Sequence, residues 1–137
     1  MTRSKPAVSQ AKLLVTVTLA TILFMARPTI QRTACVRNDL SDRILIVHCR
    51  SADDNLHAHL LDVKANISWS FNDNSELVRL TFFRCRLAVE DKRLSFNAYY
   101  QGTDIGGYDI EWSVRDDGVY LVTGDGNVES SPRQEWN

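Results

Sequence analysis

The stretch Asn66-Ile67-Ser68-Trp69-Ser70-Phe71-Asn72 decides the fold. Ile67, Trp69 and Phe71 alternate with polar residues, so every apolar side chain falls on one face, as in a half-buried strand. Towards the C-terminus the same period returns three times. Thr81, Phe83, Cys85, Leu87 and Val89 alternate with Arg84 and Arg86. Leu94, Phe96, Ala98 and Tyr100 alternate with Ser95, Asn97 and Tyr99, and Ile110, Trp112 and Val114 with Asp109, Glu111, Ser113 and Arg115. Asp116-Asp117-Gly118 then reads as a tight turn into Val119 to Val122. Towards the N-terminus, Ile44 to Val47 is a continuous apolar run, the pattern of a strand covered on both faces.

Turn residues separate these runs at Asn38 to Asp42, Ser51 to Asn55, Asn72 to Ser75, Gly102 to Gly107 and Asp116 to Gly118. No stretch after residue 35 carries a period of 3.6. Short strands with frequent turns predict an all-β fold, a small antiparallel β-sandwich over residues 33–122, in a single domain. Ile67, Trp69, Phe71, Phe83, Leu87, Phe96 and Trp112 are its expected core. Residues 123–137 (TGDGNVESSPRQEWN) read as a polar, flexible tail.

Ahead of the domain, residues 1–34 carry Arg3, Lys5, Lys12, Arg27 and Arg32 but no acid. Lys5 and Lys12 precede an uncharged run of 14 residues, Leu13 to Ala26. As a helix it reaches only about 21 Å, short of a bilayer core of about 30 Å. A basic start and a short apolar run are the pattern of a secretory signal peptide, assigned to residues 1–26, with Ala26 and Ala34 as candidate cleavage residues. The mature chain then holds 13 basic and 17 acidic residues, a net charge of −4. It is expected to be secreted and extracellular, with no membrane span. An acidic surface gives little reason to seek nucleic acid.

In an oxidising compartment Cys35, Cys49 and Cys85 allow one pair with one left over. The order Cys-Trp-Cys suggests an immunoglobulin domain, but 36 positions between Cys49 and Cys85 are too few to join its second and sixth strands. Asn66-Ile67-Ser68 is the only glycosylation sequon, which makes Asn66 a candidate glycan site.

No catalytic residue, metal or cofactor is expected. His57-x-His59, with His48 nearby, would present two imidazoles on one side of a strand, yet lacks a clear third and fourth ligand. Asp53-Asp54 and Asp116-Asp117 sit beside turn residues and read as solvated loop acids. Arg79, Arg84 and Arg86 alternate along one strand as a basic stripe on a solvated outer face.

Several short motifs in order resemble the plant self-incompatibility protein family, the S-protein homologues. They are Val36-Arg37-Asn38, His48-Cys49-Arg50-Ser51-Ala52-Asp53-Asp54-Asn55-Leu56, His59, and Trp69-Ser70-Phe71. Phe82-Phe83-Arg84-Cys85, Phe96-Asn97-Ala98-Tyr99, Trp112-Ser113-Val114 and Asp117-Gly118-Val119-Tyr120 continue the series. The resemblance covers about residues 35–122. It implies a small secreted β-sandwich that acts in recognition, as the family's pollen–stigma ligands do towards a pollen membrane protein. Members usually carry four cysteines, the last two shortly before the Trp of the closing strand. Here Ile110 stands two before Trp112, and no Cys lies between Gly102 and Asp109. If those two pair with each other, Cys49 and Cys85 remain a pair; if they pair with the earlier two, Cys49 and Cys85 have each lost a partner. The first, simpler loss is favoured, and it leaves Cys35 unpaired. Cys49 shares a face with Leu45 and Val47, and Cys85 with Phe83 and Leu87, so the two sulfurs are expected to meet across the core at a Cα separation of about 4.4–6.8 Å.

The function so implied is recognition of a membrane receptor or another extracellular protein through sandwich loops. The contact loops are Arg50 to Asn55, Asn72 to Glu76 and Thr103 to Tyr108. Arg50, Asp53, Asp54, Asp73, Glu76, Asp104 and Tyr108 are their candidate contact residues. The alternatives are a secreted small hydrolase or inhibitor, and a carbohydrate-binding module marked by an exposed coplanar pair among Tyr99, Tyr100, Tyr108 and Tyr120.

Overall fold

The computed structural model describes residues 31–73, 80–103 and 108–137, so the signal peptide expected over residues 1–26 lies outside the described residues. In chain order the strands are β1 (Gln31–Asn38), β2 (Leu45–Arg50), β3 (Asn55–Leu61), β4 (Asn66–Asn72), β5 (Phe82–Val89), β6 (Lys92–Tyr100), β7 (Asp109–Arg115), β8 (Gly118–Val122) and β9 (Gln134–Glu135). They form two packed sheets, ordered β4-β1-β7-β8-β9 and β3-β2-β5-β6. Among the described residues no helix is long and apolar enough to cross a membrane. The sandwich is as the alternation predicts, with one parallel pair, β1 beside β7.

The inner faces follow from register. In the five-stranded sheet Ala34 lies between Trp69 and Ile110, and Val36 between Ile67 and Trp112. Across from them the four-stranded sheet turns in Leu45, Val47, Cys49, Phe83, Cys85, Leu87, Leu94 and Phe96. Phe96 meets Trp112 edge-on, with ring centroids 5.0 Å apart, across the interior. Phe71, Phe83, Leu87, Phe96 and Trp112 are buried as expected. Ile67 and Trp69 are only half-buried, because β4 is an edge strand. Trp69 still packs on Phe83, with centroids 5.5 Å apart.

Cys49 and Cys85 form the expected disulfide, but within one sheet and not across the core. They are register partners on β2 and β5, with Cα atoms 4.0 Å apart. That is closer than the cross-core range, because antiparallel neighbours approach most tightly at their narrow pairs. By chain entropy alone the bridge contributes about 4 kcal/mol. Cys35 is free, on the outer side of β1 between Ser68 and Glu111. Burial, then the Glu111 charge, raises its pKa, which suppresses thiolate chemistry.

Three expectations need correction. First, the register of β5 and β6 shifts between Phe83–Tyr99 and Arg84–Asn97, so Ala98 is an extra residue. The bulge inverts the alternation beyond it. Tyr99 turns inward, 2% exposed, and Tyr100 turns outward, 41% exposed. The Ala98 carbonyl accepts a bond of 2.9 Å from Trp112 Nε1, which ties the two sheets together. Second, Ile44 and Ile46 are exposed, since none of the described residues covers the outer face of the four-stranded sheet.

Third, the 123–137 segment is not a loose tail. Its β9 pairs with β8, and Trp136 packs on the core and donates through Nε1 to the Arg115 carbonyl at 2.9 Å. Gly118, at φ +156°, allows this closeness, because a Cβ there would collide with the Gln134 carbonyl.

Asn38 ends the inner row of β1, fully buried. Its Nδ2 donates to the carbonyls of Arg43 and Leu61, each at 2.9 Å, and its Oδ1 accepts from Leu40 N at 3.0 Å. Asn38→Ala strands those backbone groups and is expected to cost about 3 kcal/mol of unfolding free energy. Urea denaturation checks this, and an unchanged midpoint refutes the role given to Asn38.

Candidate functional site

Register places three loops at one pole of the sandwich. β2 ends at Arg50, opposite Arg84 near the start of β5, and β5 begins at Phe82 opposite Tyr100 at the end of β6. In the other sheet β4 ends at Asn72 opposite the first residue of β1. Thr33 N, on β1, donates to the Tyr108 carbonyl at 2.7 Å, just before β7. The described ends of the β2–β3, β4–β5 and β6–β7 connections, with Arg50, Asp53, Asp54, Asp73 and Tyr108 among the candidate contact residues, therefore share this end.

A polar cluster braces it. Arg32 is on the inward face of β1, in line with Ala34 and Val36, but at the open mouth between the sheets. Its Nε donates to Asp73 Oδ2 at 2.8 Å. Tyr99 OH donates to the other oxygen, Oδ1, at 2.6 Å. The guanidinium lies 5.3 Å from the Tyr99 ring centroid and 6.0 Å from that of Tyr108. Phe71 and Phe83 continue the stack inward from Tyr99. Burial opposes the charge of Arg32, but the bond and charge of Asp73 prevail and raise its pKa. Burial, followed by the Asp73 bond, pushes Tyr99 up to about 12.

Asp73 is thus half-buried and engaged with both sheets, where the sequence suggested a free contact residue. Tyr108 is 64% exposed beside it. Arg50, Asp53 and Asp54 are exposed. The turn holding the two acids is closed by Ser51 N donating to the Asp54 carbonyl at 2.8 Å and Asp54 N donating to Ser51 Oγ at 3.0 Å. Glu76, Asp104 and Arg79 lie outside the described residues. Asn66 is exposed at the far end of edge strand β4.

Arg32 and Tyr99 escaped the sequence reading. Parity with Ala34 and Val36 marks Arg32 as inward-facing. No sequence signal marks Tyr99, because a bulge sets its direction.

The other candidate chemistries are dispersed. His57 has φ +62° at a register irregularity of β3, which breaks the alternation that would have paired it with His59. His59 donates from Nε2 to the Leu56 carbonyl at 2.8 Å. Among the described residues no three His, Cys, Asp or Glu are grouped to hold a metal. Asp116 accepts from Ser41 N at 3.2 Å and Asp117 from Tyr120 OH at 2.6 Å, both at the opposite pole. The four tyrosines form no coplanar pair: Tyr99 is buried, Tyr100 stacks on Phe82, and Tyr120 sits beside Arg115.

Tyr99 supplies a spectroscopic test of this cluster. One tyrosine is expected to ionise near pH 12, and Tyr99→Phe removes that step from the ultraviolet titration. The folded pKa is raised, so the stabilising effect is complete below the ordinary value of about 10 and is lost as pH rises towards 12. A Tyr99 that titrates near 10 refutes the cluster.

The family model for plant self-incompatibility protein S1 matches residues 33–136, through β9 and Trp136. S-protein homolog 2 of Arabidopsis thaliana is 33% identical over 81 residues, 58% of this chain and 49% of its own length. S-protein homolog 29 of the same plant is 29% identical over 112 residues, 80% of this chain and 81% of its own. The aligned region spans about half the length of S-protein homologs 1 and 2, against four-fifths of homolog 29. A solved self-incompatibility protein homologue, described as one of a widespread family of small, highly stable, secreted plant proteins, matches with a TM-score of 0.58. The match covers 82% of this chain and 99% of that one at 20% identity, a likeness of fold. Secretion, expected from the leader, agrees with that description. With its family motifs in order and its sandwich matched, the chain belongs to the plant self-incompatibility protein S1 family.

Proposed function

We propose that this chain is a secreted recognition protein that binds a membrane receptor or another extracellular protein non-covalently through the loop pole. The observation that carries the reading is the convergence of the described ends of three loops over the Arg32–Asp73–Tyr99 brace. A braced base holds loop ends in place before a partner arrives, which reduces the ordering cost of binding. Tyr108, an exposed aromatic beside a guanidinium, is the type of anchor that dominates protein interfaces. The pole offers charged and aromatic contacts, and the reading assigns it no covalent chemistry.

The same reading places a glycan on Asn66. Its exposed position on an edge strand, away from the loop pole, leaves room for a transferase during export and keeps the sugar clear of the proposed contacts. Protein secreted from plant cells is expected to lose mass on enzymatic deglycosylation, and Asn66→Gln to remove that loss. An unmodified Asn66 in secreted material refutes the assignment.

The contact surface is tested with a photo-crosslinking residue placed at Tyr108 or Asp54, and at Glu90 on the opposite pole as control. Applied to intact cells that respond to the protein, the first two are expected to capture one surface protein and the third none. Capture from Glu90 alone refutes the reading.

A further inference from the structure

The outer face of the four-stranded sheet carries a pattern that neither the core nor the loop pole uses. Its rows are fixed by register. Arg50 stands opposite Arg84, with Asn97 beyond it on β6. In the next row His48 stands opposite Arg86, flanked by Ala58 and Ser95. In the third, Ile46 stands opposite Ala88, flanked by Leu60 on β3. Arg50, Arg84 and Arg86 are exposed, and among the described residues none of them pairs with a carboxylate. Arg84 Nη1 donates to Asn97 Oδ1 at 3.2 Å. His48 Nε2 lies 2.6 Å from Asn55 Oδ1. A recess of about 20 Å³ opens among His48, Arg50, Arg84 and Arg86, room for one small group. Ile46 is 40% and Leu60 71% exposed.

Cations directly opposite each other on neighbouring strands destabilise a sheet. This chain is net acidic, yet it gathers three arginines without a carboxylate partner among the described residues, and an imidazole, on one face beside an exposed apolar row. We propose that this face is a docking surface for an extended acidic peptide of a partner protein, with two carboxylates at alternate positions and an apolar side chain two residues beyond the second.

The spacing supports a peptide. Rows on one face of a strand repeat at about 6.4–6.8 Å, and so do alternate side chains of an extended peptide laid along it. One carboxylate then reaches Arg50 and Arg84 and the next reaches Arg86 and His48, where guanidinium forks can bind both oxygens. The third side chain falls on Ile46, Ala88 and Leu60. An acidic polysaccharide has no side chain for that row. An anionic bilayer extends beyond the patch and meets the acidic remainder of the molecule, whereas a short peptide feels only charges within a Debye length of about 8–10 Å. The loop pole is separate from this surface except at Arg50, so the inference does not depend on the loop contacts proposed above.

The test uses the mature protein and a fluorescein-labelled nonapeptide. Two glutamates and a leucine occupy alternate positions among serines and threonines. Anisotropy is expected to show saturable, salt-sensitive binding. The same composition with the glutamates and leucine made contiguous, or with glutamines for glutamates, is expected to bind at least about tenfold more weakly. Arg84→Glu with Arg86→Glu is expected to weaken binding at least about tenfold. Ile46→Ser with Leu60→Ser, read independently, is expected to weaken it several-fold, and Tyr108→Ala to leave it unchanged. Vesicles with phosphatidylserine and a galacturonate oligomer are the competing ligands. No peptide binding, equal binding of the contiguous peptide, indifference to both double variants, or binding to vesicles or galacturonate alone each overturns the proposal.

Discussion

The structure depends on β1, the strand that both sheets' closing contacts meet. It lies between β4 and β7 and presents an inward row of Arg32, Ala34, Val36 and Asn38. The two middle side chains are apolar and fully buried, whereas the ends are polar, one at each pole. Asn38 closes one pole by taking up backbone groups of the β1–β2 connection and of β3. Arg32 closes the other through Asp73 and the Tyr99 ring. A polar group between packed sheets is tolerated only where its bonds are made, so each end fixes which backbone must lie beside it. The position of the loop bases follows from that requirement.

The second sheet is held to the first by a different device. The extra residue Ala98 frees a carbonyl from the β5–β6 ladder, and Trp112 Nε1 from the opposite sheet satisfies it. The same bulge turns Tyr99 inward to reach Asp73. One inserted residue thus joins the sheets at the core and completes the brace beneath the loops. The disulfide between Cys49 and Cys85 fastens adjacent strands of the four-stranded sheet. Its outer rows of arginine and apolar side chains are therefore displayed on a cross-linked platform.

Charge is divided in space in a way that the net value hides. Turn acids lie at both poles, Asp53 and Asp54 in the β2–β3 turn and Asp116 and Asp117 at the other end, bound to Ser41 and Tyr120. Arg50, Arg84 and Arg86 collect on one sheet face with no carboxylate among them in the described residues. Local sign, not total charge, sets which ligands each face can attract at physiological screening.

Much of the fold was legible in the sequence because a strand's period of two is a local property. Phe71, Phe83, Leu87, Phe96 and Trp112 could be assigned to the core from alternation alone, and the ordered short motifs were enough to identify the family. Burial at an edge is not local, so Ile67 and Trp69 read as core yet remain half-buried on β4. Gly118 pairs with Glu135 and Trp136 donates to the Arg115 carbonyl, and only these contacts show that the polar C-terminal segment belongs to the sheet. The sequence placed the candidate loops, including Tyr108, and parity with Ala34 and Val36 carried a signal for Arg32 that went unread, but nothing local could place Tyr99, since a register shift between two strands sets its direction. By itself the sequence determined the strands, the fold class and the family, because these rest on patterns within short stretches. The tertiary structure decided that Cys49 and Cys85 lie side by side in one sheet, that the described ends of three loops share one pole, and that the arginines of β2 and β5 form one face. These depend on pairing between residues distant in the chain, which no local pattern encodes.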